Sequence, residues 1–241
     1  MNKTKFGKKI VEIEKKKELV KTLFNEVSNK YDIMNDLMSF GLHRLWKKDM
    51  VDNIQSKKPS LILDLAGGTG DISLLLSNKY DKSIILIYDL SFEMIKNSKK
   101  RIIGRNIGYV NGSAELISLP NNSVDFITVS FGLRNFSNIE SAISECFRVL
   151  KFGGKVYCLE FSPSYSKSLK PYYDFYSKNI IPKIGKLVAK NETAYKYLID
   201  SIQGFYENPE LKNIFNKYGF FCYSDKKYLG GIAILNIFSK V

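Results

Sequence analysis

The sequence predicts an α/β fold: one domain built on a doubly wound, mainly parallel sheet of seven strands. Three features predict it. Short apolar runs alternate with amphipathic segments between residues 59 and 161, the pattern of strands joined by helical crossovers. The first of these runs, "LILDL", enters a glycine-rich turn, "AGGTGD", and a helical pattern follows. The C-terminal stretch holds two strand-like runs parted by Gly230-Gly231, which reads as a hairpin added to the sheet. A chain of 241 residues is long enough for one sizeable core with elaborations.

Residues 8 to 30 read as a helix, because Val11, Leu19, Leu23 and Val27 recur at helical spacing among charges. Residues 31 to 56 read as two helical pieces broken near Ser39-Phe40-Gly41. Residues 1–58 are therefore expected to form an N-terminal helical lid, and 59–161 the ligand-binding core. Strands are expected at 61–65, 84–88, 107–111, 124–130 and 154–161. Asp89 ends the second strand, and Ser91 is placed to cap the helix after it. A helix at 138–150 precedes a Gly-Gly turn. Residues 162–205, rich in Tyr and Lys, read as a helical insertion, and 206–241 as a final helix and the last two strands. Crossovers in such a sheet are right-handed. Its ligands sit at the carboxyl ends of the strands, where residues 67 to 71, Asp89 and Ser130 fall.

Composition excludes several classes. No apolar run approaches the roughly 18 residues that span a bilayer. The stretch "MNKTKFGKKIVEIEKKKELV" lacks the uninterrupted apolar core of a signal peptide. It carries Glu12, Glu14 and Glu18 and no arginine, unlike a mitochondrial presequence, so a cytoplasmic chain is expected. Cys146, Cys158 and Cys222 show no metal or redox spacing, and no metal is expected. The formal net charge is +13. It fits a solvated lysine surface or contact with an anionic membrane. No cysteine follows a proline and no Pro-Pro-aromatic turn exists, which weakens a nucleic-acid substrate.

The loop "LDLAGGTGD" carries the cofactor argument. Its glycines, Gly67, Gly68 and Gly70, permit positive φ and close approach of backbone to ligand. Asp89 follows about 20 residues on, where a carboxylate holds ribose hydroxyls. A dinucleotide fingerprint reads G-x-G-x-x-G/A, but here the sixth position is Ser73. Asp64 and Asp71 bracket the loop, and a diphosphate disfavours an acid at the helix N-terminus. A cofactor with a cationic sulfonium and ammonium tolerates both, so S-adenosyl-L-methionine is expected. A hairpin-closed seven-stranded sheet is the Rossmann-like class I arrangement of methyltransferases that use it.

The stretches "YDIMNDLMSFGLHRLWKKDM", "LDLAGGTGD", "SFGLRN" and "RVLKFGGKVYCLEF" resemble the ubiquinone/menaquinone biosynthesis C-methyltransferases, the UbiE family, from about residue 20 to the C-terminus. The resemblance implies C-methylation of a polyprenylated quinol. The acceptor would be demethylmenaquinol, 2-methoxy-6-polyprenyl-1,4-benzoquinol or both. It also implies cofactor roles for Thr69, Asp89, Ser113, Ala114 and Ser130. The family commonly has Asn where this chain has Ser113, so an amide shrinks to one hydroxyl.

Chemistry adds further candidates. A quinol carbon is nucleophilic mainly as the phenolate, and phenols titrate near 10. Arg134, just past Ser130, is placed to stabilise that phenolate, and Asn135 to position the other quinol oxygen. A structural ion pair is the competing role for Arg134. His43 is the sole histidine, hence a candidate base or a packed helix residue. Met34, Met38, Met50 and Trp46 read either as plain core or as a lid lining the quinone channel. Tyr31 and Asp32 are expected near the cofactor mouth. The insertion's tyrosines and lysines read as a solvated subdomain or a membrane-facing surface. Expected partners are the quinol, a membrane surface (for a bacterial chain, the inner membrane's cytoplasmic side), a second copy or a quinone-biosynthesis complex, and no nucleic acid. The competing functions are methylation of another lipid or small molecule, RNA methylation, and a non-catalytic scaffold.

Overall fold

The computed structural model describes residues 3–28, 31–103, 106–166, 171, 175–176 and 192–241. The chain opens with an antiparallel hairpin, β1 (Lys3–Phe6) and β2 (Lys9–Glu12). Gly7 turns it at a φ of +58°, as a two-residue hairpin turn requires. The helix expected from residue 8 therefore starts later, as α1 (Ile13–Val27). Phe6 anchors the hairpin by stacking on Tyr197, ring centroids 4.3 Å apart. The next two helices, α2 (Tyr31–Ser39) and α3 (His43–Asp52), break at Phe40 and Gly41, both at positive φ.

The core elements alternate as expected: β3 (Leu61–Leu65), α4 (Asp71–Lys79), β4 (Ile84–Asp89), α5 (Phe92–Arg101), β5 (Ile107–Asn111), β6 (Val124–Ser130), α6 (Ile139–Val149) and β7 (Leu150–Phe161). Ser91 caps α5, its hydroxyl accepting from Met94 N at 3.2 Å. β7 begins four residues before the expected strand, at Leu150 paired with Val124. The Gly153-Gly154 pair is a bulge inside the strand rather than a turn before it, and the ladder resumes at Lys155. After α7 (Glu192–Gln203) and α8 (Asn208–Lys217), the hairpin β8 (Phe220–Tyr228) and β9 (Ala233–Lys240) closes the chain. Of the expected insertion, residues 167–170, 172–174 and 177–191 lie outside the described residues.

The sheet runs β5-β4-β3-β6-β7-β9-β8, with β9 antiparallel to both neighbours and the first five strands parallel. Strand order reverses direction between β3 and β6, so their carboxyl ends part and leave a crevice. Alternate residues of β3 feed opposite layers. Ile62 belongs to the core layer that holds Trp46, Met50 and Tyr195, and Leu63 to the layer that holds Ile127, Cys158 and Phe238. No described helix is long and apolar enough to cross a membrane.

Candidate active site

The glycine loop turns where its backbone must take left-handed angles: Ala66, Gly68 and Gly70 have φ of +53°, +55° and +83°. A Cβ on Gly70 would stand 2.5 Å from Ser98 Oγ, so the loop's close packing depends on its absence. Gly68 N donates to Asp89 Oδ2 at 2.9 Å, and Ser91 N to Asp89 Oδ1 at 2.8 Å. Burial raises the Asp89 carboxyl to about 6 despite these bonds. Asp64 sits beneath the loop and accepts from Ser73 Oγ at 2.7 Å and Thr128 Oγ1 at 2.9 Å. Burial raises its carboxyl to about 6 as well.

A cavity lies at the strand ends, walled by Gly68, Asp89, Ala114 and Glu115 and roofed by Phe24 and Tyr31. Asn135 borders it too. Ser113 falls between two lining residues and its hydroxyl donates to the Glu115 carboxylate. Glu115 also receives Ser137 N at 2.7 Å, so one acid ties the loop after β5 to the turn after β6. Under Tyr31 is a smaller recess lined by Asp64, Gly67, Thr69 and Ser130. The Ser130 hydroxyl is buried there without a partner among the described residues. Thr69 Oγ1 reaches Asp32 at 3.4 Å.

The same recess holds Lys47, which the sequence reading missed. Its ammonium lies 2.8 Å from Asp71, whose other oxygen meets Arg101 at 2.5 Å. Burial pushes Asp71 up, but Lys47 and Arg101 outweigh it and hold the carboxyl at about 2. Asp71 is therefore a neutralised acid here, not the bare attractor for a cationic cofactor that its position suggested.

Arg134 lies in a single 3-10 turn, Leu133–Asn135, and is buried. Its Nη1 donates to Glu160 Oε1 and to Phe131 O, both at 2.6 Å. Its Nε and Nη2 are buried with no partner among the described residues. The ion pair and the unused donors coexist: one edge of the guanidinium is fixed, and the other is without a partner among the described residues, with Arg134 lining a neighbouring cavity rather than the strand-end one. Asn135 Oδ1 accepts from Tyr197 at 3.0 Å. Burial raises the Tyr31 hydroxyl to about 12, opposed by the nearby Arg134 charge.

Met34, Met38, His43 and Trp46 are packed in the interior, and none lines the strand-end cavity. Trp46 stacks on Tyr228 at 5.7 Å. His43 Nε2 pairs with Asp36 at 2.8 Å, and burial lowers its pKa with help from Lys47. A neutral, buried histidine held this way fixes α2 against α3.

A doubly wound sheet of this order, with a glycine loop and a strand-end carboxylate around one crevice, defines the class I methyltransferases. Solved structures agree in fold. A methyltransferase in complex with Haloferax volcanii Trm112 aligns over 90% of this chain and 97% of its own, with 13% identity and a TM-score of 0.66. A Thermotoga maritima SAM-dependent methyltransferase aligns over 92% and 100%, with 19% identity and a TM-score of 0.63. Within that class, the chain belongs to the ubiE/COQ5 methyltransferase family, matched over residues 11–240. It is 41% identical over 244 residues to the Rickettsia bellii ubiquinone/menaquinone biosynthesis C-methyltransferase UbiE, covering 98% of each chain. The Rickettsia felis protein of the same name is 42% identical over 249 residues, covering 100% of each.

Proposed function

We propose that this enzyme C-methylates a polyprenylated quinol with S-adenosylmethionine, in ubiquinone or menaquinone biosynthesis. The acceptor is demethylmenaquinol, 2-methoxy-6-polyprenyl-1,4-benzoquinol or both. When bound, the cofactor supplies an electrophilic methyl group. The residues present fit it. Asp89 offers carboxylate oxygens to a ribose diol at the end of β4, and Gly68 lets the backbone approach closely. The unpartnered Ser130 hydroxyl gains a partner from the cofactor's polar end. Ala114 and Ser113 flank the base.

The observation that carries the acceptor reading is Arg134. A guanidinium anchored by Glu160, with two buried nitrogens unpartnered among the described residues, is preorganised for an oxyanion. Such a cation lowers a phenol's pKa by roughly 1–3 units. Asn135 then positions the second ring oxygen. Holding ring carbon and methyl in line is the remaining task, and it is one of proximity. The chain is a peripheral membrane enzyme in this reading. Phe40 and Leu45, 54% and 63% exposed at the tip of α2 and α3, support it. So does Tyr176, which stacks on Phe40 at 4.4 Å.

The test is a methyl-transfer assay with labelled S-adenosylmethionine and each quinol, kept reduced in detergent. Label on a ring carbon is the expected result. Demonstrable cofactor binding with no label on either quinol would overturn the acceptor reading.

A further inference from the structure

A second cavity, of about 260 Å³, adjoins the strand-end cavity and is lined by Lys5, Lys16, Arg134, Tyr197, Asp200 and Phe205. The wall between the two includes the Asn135–Tyr197 hydrogen bond, because Asn135 lines one cavity and Tyr197 the other. Helix α1 borders both, with Lys16 at the second and Val20, Lys21 and Phe24 one turn or more further on at the first.

Lys16 is 4% exposed and makes no hydrogen bond or ion pair with any described residue. An ammonium in that position is largely stripped of water and has no ion-pair partner among the described residues, which favours the neutral amine. Burial lowers its pKa to about 8, with Glu115 acting weakly against the shift. The charged and titratable groups that line the cavity with it are Arg134 after β6, Tyr197 and Asp200 on α7, Tyr206 after α7, and Lys3 and Lys5 on β1, while Glu115 after β5 is the charge that acts on it. Other candidate bases are committed elsewhere. Glu160 holds Arg134, Asp89 holds the glycine loop, and His43 is bonded to Asp36. Two cations with unused donors, Lys16 and Arg134, thus line one cavity beside the methyl-donor site.

We propose that Lys16 is the general base of the methyl transfer: its neutral amine takes the proton of the acceptor's ring hydroxyl while Arg134 holds the oxyanion. This rests on the quinol reading above. The O–H electron pair stays on oxygen, and an N–H bond forms at Lys16 Nζ. The adjacent ring carbon bonds the methyl carbon as the sulfur–methyl bond breaks, and that bond's electrons stay on sulfur. The hydrogen on the methylated carbon leaves to water as a proton, restoring the aromatic ring. Lys16 then returns its proton to the ring oxygen, so the turnover releases one proton in all.

The experiment measures kcat, KM and their pH profile for the full chain, using whichever quinol the wild type methylates. The variants are Lys16→Met, Lys16→Arg and Lys16→Ala, with cofactor Kd by calorimetry and folding by circular dichroism. The base works unprotonated, so wild-type kcat/KM rises with pH and levels off above about 8. Lys16→Met is expected to lose about 10²–10⁴-fold in kcat with cofactor Kd unchanged, and to lose that rising limb. Lys16→Arg does not restore the rate, because a guanidinium stays charged. Ethylamine restores part of the activity of Lys16→Ala. A Lys16→Met enzyme within tenfold of wild type, or one keeping the limb, overturns the proposal. If Lys16→Met does not fold, absence of amine rescue in a folded Lys16→Ala overturns it. A wild type that methylates no quinol defeats the acceptor reading itself. An active wild type with unimpaired Lys16 variants defeats only the role of Lys16.

Discussion

The two sides of the crevice are built on opposite principles. On the cofactor side, the polar groups are mostly satisfied within the protein: Asp89 by Gly68 and Ser91, Asp64 by Ser73 and Thr128, Asp71 by Lys47 and Arg101. On the side we assign to the acceptor, two buried Arg134 nitrogens and the Lys16 amine have no partner among the described residues. Satisfied groups form a mould that exists before ligand arrives. Unsatisfied ones store a cost, on the order of 1–3 kcal/mol for each buried group, that ligand relieves. In the proposed reading, the satisfied half recognises a fixed molecule and the unsatisfied half does chemistry on a changing one.

The contrast can be broken most sharply at Arg134. Arg134→Lys keeps a cation for Glu160 but loses the planar fork, and methyl transfer should fall about 10²–10³-fold while cofactor Kd holds. A near-normal rate would reduce Arg134 to a structural ion pair. Next in size is the mould itself. Asp89→Asn should weaken cofactor binding about 10–100-fold by calorimetry, with the acceptor KM little changed.

A third test reads stability instead of rate. The folded pKa of Lys16, about 8, lies below the unfolded value of 10.5. The unfolded chain therefore binds the proton more tightly, and the penalty on folding is full below pH 8 and vanishes above 10.5. Lys16→Met should be more stable than wild type at pH 7 by about 1–3 kcal/mol in urea titrations. The gap should close as pH rises towards 10.5. A pH-independent gap would mean that packing, not charge, sets it. The smallest effect lies outside both halves. Phe40→Ala should reduce binding to anionic vesicles a few-fold, on the order of 1 kcal/mol, and leave the other quantities alone.

Legibility followed the same divide. The glycine loop and Asp89 lie within one strand–loop–helix–strand unit, so local spacing was enough to find them. Strands 61–65, 107–111 and 124–130 end where the apolar runs end. The acceptor side is assembled over long separations: Glu160 is 26 residues from Arg134, and Tyr197 is 62 from Asn135. No spacing rule joins them before the sheet does. Lys16 hides in the triplet Lys15-Lys16-Lys17, and only the helix face it shares with Val20, Leu23 and Val27 marks it as the buried one. The hairpin at 3–12 was missed because its two short lysine-bearing strands merge with the helical pattern that follows. Glycine 7 was the available signal.

Helix α1 lines both cavities, so if the acceptor lies where we propose, any shift of α1 on binding one ligand is linked to the other. That makes the helix a thermodynamic balance beam. Whatever factor the quinol applies to cofactor affinity by moving α1, the cofactor must apply to quinol affinity in return. Product release obeys the same relation. A used cofactor that binds this face less tightly would loosen the methylated ring by the same factor.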